Sequence, residues 1–228
     1  DGGRNWQNTL AAFSRCSGGT PASGTNYDRS SDPWVSIGAD GTAYQMALGV
    51  SGASFTGSAI SAMLVARSTD GGLNWSAPQT LVRDASADIF HDKNTIKADP
   101  FVASNVYAIW GRLEADGHGP AWFTRSTDRG ATWEPSRGVY DPGPVNQTLG
   151  NGLDVLPNGT LINVFLEIIR SPTPANAFGQ RVRVMSSNDK GVNWSVPVTV
   201  AEYLGVGTVD PDTRLKVRDS SGVPQVAV

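Results

Sequence analysis

The chain has 228 residues, enough for one large all-β domain with a substantial core. Apolar residues make up 39% and charged residues 17%, which excludes whole-chain disorder. A net charge of −3, with no long apolar run, argues against a nucleic-acid partner and against a membrane span.

Turn residues punctuate the chain throughout, with 26 glycines and 14 prolines. The text opens inside a motif, Asp1-Gly2-Gly3-Arg4-Asn5-Trp6, which is followed by a single expected strand and a long loop over residues 11–31. A first four-strand unit then reads as strands at 34–37, 43–48, 61–67 and 80–82. A second unit reads as 94–97, 106–110, 121–125 and 138–140, and a third as 153–156, 161–167, 181–186 and 198–201. Residues 214–218 and 224–228 read as the first two strands of another unit.

Within each unit, the third and fourth strands are joined by S-x-D-x-G-x-x-W. The copies are Ser68-x-Asp70-x-Gly72-x-x-Trp75, Ser126-x-Asp128-x-Gly130-x-x-Trp133 and Ser187-x-Asp189-x-Gly191-x-x-Trp194. Together with Asp1, the aspartates recur about every 60 residues, the size of a four-stranded blade with its loops. Each position has a task in a tight turn. The carboxylate and hydroxyl accept backbone N–H groups that lack strand partners. Glycine permits positive φ at the reversal, and tryptophan places a large apolar ring beneath it.

These segments, STDGGLNW, STDRGATW and SNDKGVNW, resemble the Asp-box, or BNR, repeat of sialidases and related glycosidase propellers. Residues 31–44 resemble the innermost hairpin of such blades. The resemblance implies an all-β propeller of four-stranded antiparallel blades. It implies one domain over residues 1–228, with boxes at 1–6, 68–75, 126–133 and 187–194. About three full blades and parts of two are expected from a six-bladed ring that is incomplete at both ends. It also implies a secreted or cell-surface protein acting on carbohydrate or glycoconjugate. The sequence leaves oligomeric state open and calls for no cofactor.

Because antiparallel strands alternate in direction, the boxes fall on one face of the ring, and the connections between second and third strands and between units fall on the other. The resemblance places an active site on that second face. It asks for arginines that clasp a substrate carboxylate, a tyrosine nucleophile activated by a glutamate, and an aspartate acid/base. Asp92 is the acid/base candidate and Glu167 the candidate base; Asp32, Lys93, Arg112, Arg170 and Arg214 are the substrate-binding candidates. No tyrosine is assigned as nucleophile. Structural roles compete at several of these positions. Asp32 precedes Pro33 and suits a turn, Asp92-Lys93 could tie adjacent blades, and Glu167 could pair with Arg170 or Arg181. Two isolated histidines and one cysteine give no metal site. Three activities remain open: a sialidase-like exo-glycosidase, a non-catalytic glycan- or protein-binding propeller, and an endo-acting polysaccharide hydrolase.

Overall fold

The computed structural model describes residues 4–170, 178–204, 207–217 and 223–228. Three four-stranded antiparallel sheets follow one another along the chain, each meandering outward from its first strand. The first contains β1 (Arg29–Ile37), β2 (Ala43–Ser51), β3 (Ile60–Ser68) and β4 (Gln79–Ala85). The second contains β5 (Ile89–Ala98), β6 (Val106–Glu114), β7 (Ala121–Ser126) and β8 (Arg137–Tyr140). The third contains β9 (Gln147–Val155), β10 (Leu161–Arg170), β11 (Phe178–Ser187) and β12 (Val198–Glu202). The fold is a β-propeller, and these sheets are its blades. No helix among the described residues is long and apolar enough to cross a membrane.

The first strands of the blades lie side by side and are stitched together. Asn94 Nδ2 donates to the Asp32 carbonyl at 3.0 Å, and the Ala98 N–H donates to Ser36 Oγ at 2.9 Å. Further along, Thr95 Oγ1 donates to the Asn151 carbonyl, and Lys97 reaches Asp154 at 2.6 Å. Behind these strands the blades bury apolar faces against each other. Tyr44, Met46 and Met63 of the first blade pack with Ile96, Val106 and Trp110 of the second. Tyr107, Ile109 and Phe123 of the second pack with Leu153, Leu161 and Phe165 of the third. Each fully buried side chain of this size contributes about 1.5–3 kcal/mol relative to exposure.

The three described box turns share one hydrogen-bond pattern. Ser68 Oγ donates to Asp70 at 2.8 Å and accepts the Gly72 N–H at 2.9 Å, while Asp70 accepts the Asn74 N–H and amide at 2.9 and 2.7 Å. Ser126, Asp128, Gly130 and Thr132 repeat the arrangement, as do Ser187, Asp189, Gly191 and Asn193. Asp1 lies outside the described residues.

The box turns also dock onto the preceding blade. Arg67 donates to the Arg129 carbonyl at 2.9 Å, and Arg125 to those of Asp189 and Lys190. From the outer strands, Gln79 reaches the Gly130 and Ala131 carbonyls, and Arg137 those of Gly191 and Val192. A Cβ on Gly130 would stand 2.9 Å from the Tyr44 ring, and one on Gly191 would overlap Phe123.

The structure departs from the expected strands at three places. The first strands of the three blades begin at Arg29, Ile89 and Gln147, earlier than the expected 34, 94 and 153, because a bulge in each interrupts the alternation. Residues 7–12 form no strand ahead of β1. Residues 224–228 also form none, and Lys216–Val217 (β14) pairs with Thr208–Val209 (β13) in a short hairpin. Asp210 closes that hairpin by accepting the N–H groups of Asp212 and Thr213, giving the chain a local partner in place of a new blade.

Gly191→Ala should cost about 2–4 kcal/mol, combining a left-handed backbone with overlap on Phe123. Gly159→Ala, equally left-handed but facing open space, should cost about 1 kcal/mol. Urea unfolding of the two variants checks the difference, and equal losses would show that docking onto Phe123 is not a constraint.

The box carboxyls Asp70, Asp128 and Asp189 are lowered to about 2. Backbone N–H bonds from Asn74 and Asn193 lead for the outer two, and the Thr132 hydroxyl leads for Asp128. Their folded values lie below the ordinary aspartate value of about 3.9, so their stabilisation is complete above that value and lost as pH falls towards 2. A triple aspartate-to-asparagine variant should therefore lose less of its urea midpoint between pH 4 and 2 than the parent; equal losses would contradict the assignment.

Candidate functional site

Each first strand carries a bulge at the same register, where two residues oppose one on the neighbouring strand. The pairs are Asp32 and Pro33 in β1, Lys93 and Asn94 in β5, and Gly150 and Asn151 in β9. The first residue of each pair is left-handed, with φ of 51°, 52° and 64°. Glycine meets this requirement in blade three without a Cβ penalty. Asp32 and Lys93 meet it at a conformational cost, which is the kind of strain that marks functional positions.

The bulges bring Asp32, Asp92 and Lys93 together. Lys93 Nζ lies 3.3 Å from Asp32 Oδ2 and 3.8 Å from Asp92 Oδ1. The two carboxyls are within hydrogen-bond reach of each other. About a quarter of each carboxyl side chain stays exposed, so the group is enclosed but reachable. Desolvation raises the Asp92 pKa, the Asp32 charge raises it further, and Lys93 only partly offsets them. Desolvation also acts on Asp32, but there it is outweighed by the Lys93 charge and by hydrogen bonds from Ser31, Lys93 and Asp92, so the net shift is downward. The two carboxyls are thus set apart, with Asp92 the more readily protonated of the pair.

The other candidates stand apart. Arg112, on β6, is bound by Glu114 at 2.5 Å and lies over the Trp122 ring at 4.9 Å. It lines an open cleft of about 460 Å³ with Asp88, Ile89, Glu114, Ala115 and Asp116. Arg170 ends β10 with its guanidinium beside Gly117, and Arg214 lies in the β13–β14 connection with a left-handed backbone. Arg112 and Arg170 therefore both adjoin the turn at 114–118, while Arg214 lies in another element. Glu167 is only 4% exposed, and both its oxygens are engaged. It accepts the Tyr140 hydroxyl and Arg183 at 2.6 Å, with Arg181 at 3.6 Å. Desolvation and the bond to Glu167 push Tyr140 up to about 12, so its phenol keeps its proton.

His91, beside Asp92 in sequence, is fully buried. Trp110 Nε1 donates to its Nδ1 at 3.0 Å, so its own N–H is on Nε2 and donates to Asp84 at 2.7 Å. Burial lowers its pKa and keeps the ring neutral. Trp110 is therefore core rather than a sugar platform. Among the described residues, no group of three or more His, Cys, Asp or Glu side chains is arranged to hold a metal ion. Two contributions had escaped the sequence reading: the brace from Asn94 to the Asp32 backbone, and Tyr140 as partner of Glu167. The first has a signal in the text, since Asn94 and Asn151 hold equivalent places after the left-handed residue.

No protein-family model matches the sequence, and no curated protein matches it. Solved structures do resemble it. An α-L-arabinanase from Penicillium chrysogenum complexed with arabinobiose superposes with a TM-score of 0.54 at 13% identity, covering 80% of this chain and 46% of that one. A sialidase from Trypanosoma rangeli in complex with sialic acid gives 0.51 at 16% identity, covering 74% and 30%. A protein of unknown function from Dyadobacter fermentans gives 0.51 at 16%, covering 76% and 51%. At these identities the likeness establishes a shared propeller fold, and this chain spans about half or less of each.

Lys93→Gly should leave stability within about 1 kcal/mol of the parent. Relief of the left-handed strain offsets the loss of a partly exposed ion pair. A loss above about 2 kcal/mol in urea unfolding would show that Lys93 is held for structure.

Proposed function

We propose that this chain carries the acid/base centre of a sialidase-like exo-glycoside hydrolase that releases terminal acidic sugars from glycoconjugates. The single propeller domain over residues 1–228 and its export from the cell belong to the same reading. The observation that carries it is the Asp32–Asp92 pair beside Lys93 in the bulged first strands. One carboxyl is raised and the other lowered, the division expected of a proton donor and its ionised neighbour.

In this reading, protonated Asp92 gives its proton to the glycosidic oxygen as the bond from that oxygen to the sugar breaks. The Asp92 carboxylate left behind sits beside Lys93, and it then takes a proton from the water that adds to the sugar. Asp32 keeps Asp92 protonated until substrate arrives. Lys93 reaches both carboxyls, at 3.3 and 3.8 Å, so the pair is read as one group and not as the opposed acid and nucleophile of a glycosidase. They act as one proton store, and the nucleophile lies elsewhere. Glu167 is assigned to holding Tyr140 and Arg183 between blades. Arg170, and Arg112 once it exchanges Glu114 for the substrate, are the groups offered to a sugar carboxylate.

A second reading, hydrolysis of a neutral polysaccharide, is favoured by the cleft itself. Asp88, Glu114 and Asp116 surround an Arg112 that is already paired. Fluorogenic α-sialyl and α-L-arabinofuranosyl glycosides separate the two when offered to the protein carrying this chain. Sialyl turnover that Asp92→Asn reduces about 10²–10⁴-fold is the expected result. Arabinosyl turnover with the same dependence supports the second reading, and glycan binding with no turnover of either would make the propeller a binding module.

A further inference from the structure

His118, at the tip of the β6–β7 connection, has a carboxylate on each side of its ring. Nε2 lies 2.8 Å from Asp141 Oδ1, and Nδ1 lies 3.4 Å from Glu114 Oε2. Both oxygens are acceptors only, whereas a neutral imidazole has one N–H and a lone pair on its other nitrogen. The neutral ring would aim that lone pair at a carboxylate. Imidazolium, with two N–H groups, satisfies both sides.

Other charged groups face the same turn. Arg112, on β6, holds the other oxygen of Glu114, and Asp116, in the turn, accepts the His118 backbone N–H at 2.9 Å. Arg170, at the end of β10, places its guanidinium beside Gly117. With Asp88, which lines the same cleft and whose carbonyl accepts the Ala115 N–H, four carboxylates stand against two guanidinium groups, and one guanidinium is already paired. The ring's pKa is raised first by the hydrogen bond to Asp141, against partial burial, and then by Glu114.

Glu114 and Asp141 belong to different mouth segments. Glu114 ends β6 and walls the cleft beside Arg112, while Asp141 follows β8 on the way to blade three. The base of the turn is fixed independently, since Gly119 donates to the Asn146 carbonyl and Thr148 to the Gly119 carbonyl, both at 2.8 Å. The tip, residues 114–118, is where the ring acts.

We propose that His118 is a proton-operated clasp on the channel mouth. As imidazolium it draws Glu114 and Asp141 together and fixes the cleft wall that carries Glu114 and Arg112. As a neutral ring it releases one carboxylate and loosens the turn. The clasp holds at acidic pH and lets go as pH rises through the His118 pKa. Its meaning as regulation of sugar entry rests on the hydrolase reading, but its existence does not.

The test combines imidazole nitrogen NMR with amide hydrogen exchange on the intact chain, and neither readout needs turnover. Expected are a His118 pKa above the ordinary 6.5 and a downward shift in Asp141→Asn. Protection across residues 114–118 should fall about three- to fivefold from pH 5.5 to 8 after correction for intrinsic exchange, and His118→Gln should remove that pH dependence. A His118 pKa at or below 6.5, or the same pH dependence in His118→Gln, would overturn the clasp. An intact clasp in a protein without turnover would count against the hydrolase reading alone.

Discussion

Each blade is positioned by the grip that its predecessor takes on its box turn. The serine and aspartate side chains of the turn take up local N–H groups, and several of the turn's carbonyls are left for the preceding blade to satisfy. Arg67 and Gln79 fill that need for the second blade, and Arg125 and Arg137 for the third. Glycine at the reversal lets the aromatic ring of the earlier blade come within contact distance, so the same small residue that permits the turn also sets the spacing between blades. Arginine suits this work better than lysine because its planar fork can hold two carbonyls at once.

That spacing at the rim fixes the geometry at the centre. With the blades locked at their box ends, β1, β5 and β9 come close enough for side chains of one to bond the backbone of the next. The repeated bulge then turns two residues per strand out of the ladder. In blade three these residues are glycine and asparagine, and the position is quiet. In the first two blades an aspartate and a lysine are held left-handed, and a carboxyl pair results whose members titrate in opposite directions. The same bulge recurs in all three first strands, and only the residues placed on it differ.

The box turns were legible in the sequence because every bond inside them joins residues within four positions, so one motif contains its own explanation. The three-blade order followed from their spacing. The first strands were legible only in part: at 93–94 and 150–151 two residues oppose one, which flips the alternation that sequence reading relies on. Arg181 was an expected partner of Glu167 and lies at 3.6 Å, but Tyr140 escaped because it belongs to the outer strand of another blade, and no periodicity links the two. Asp92 and Lys93 could be picked out as neighbours, but Asp32 joins them only through the blade-to-blade packing, some sixty residues away along the chain.

The central claim is that burial and the Asp32 charge favour the protonated form of Asp92 against the pull of Lys93. Carboxyl carbon NMR through a pH titration tests it directly, because each aspartate reports its own ionisation. The account predicts that Asp32 titrates below and Asp92 above the ordinary aspartate range, and that removing the Asp32 charge in Asp32→Asn moves Asp92 back down. Two independent titrations near the ordinary value of about 3.9, unchanged by Asp32→Asn, would contradict it.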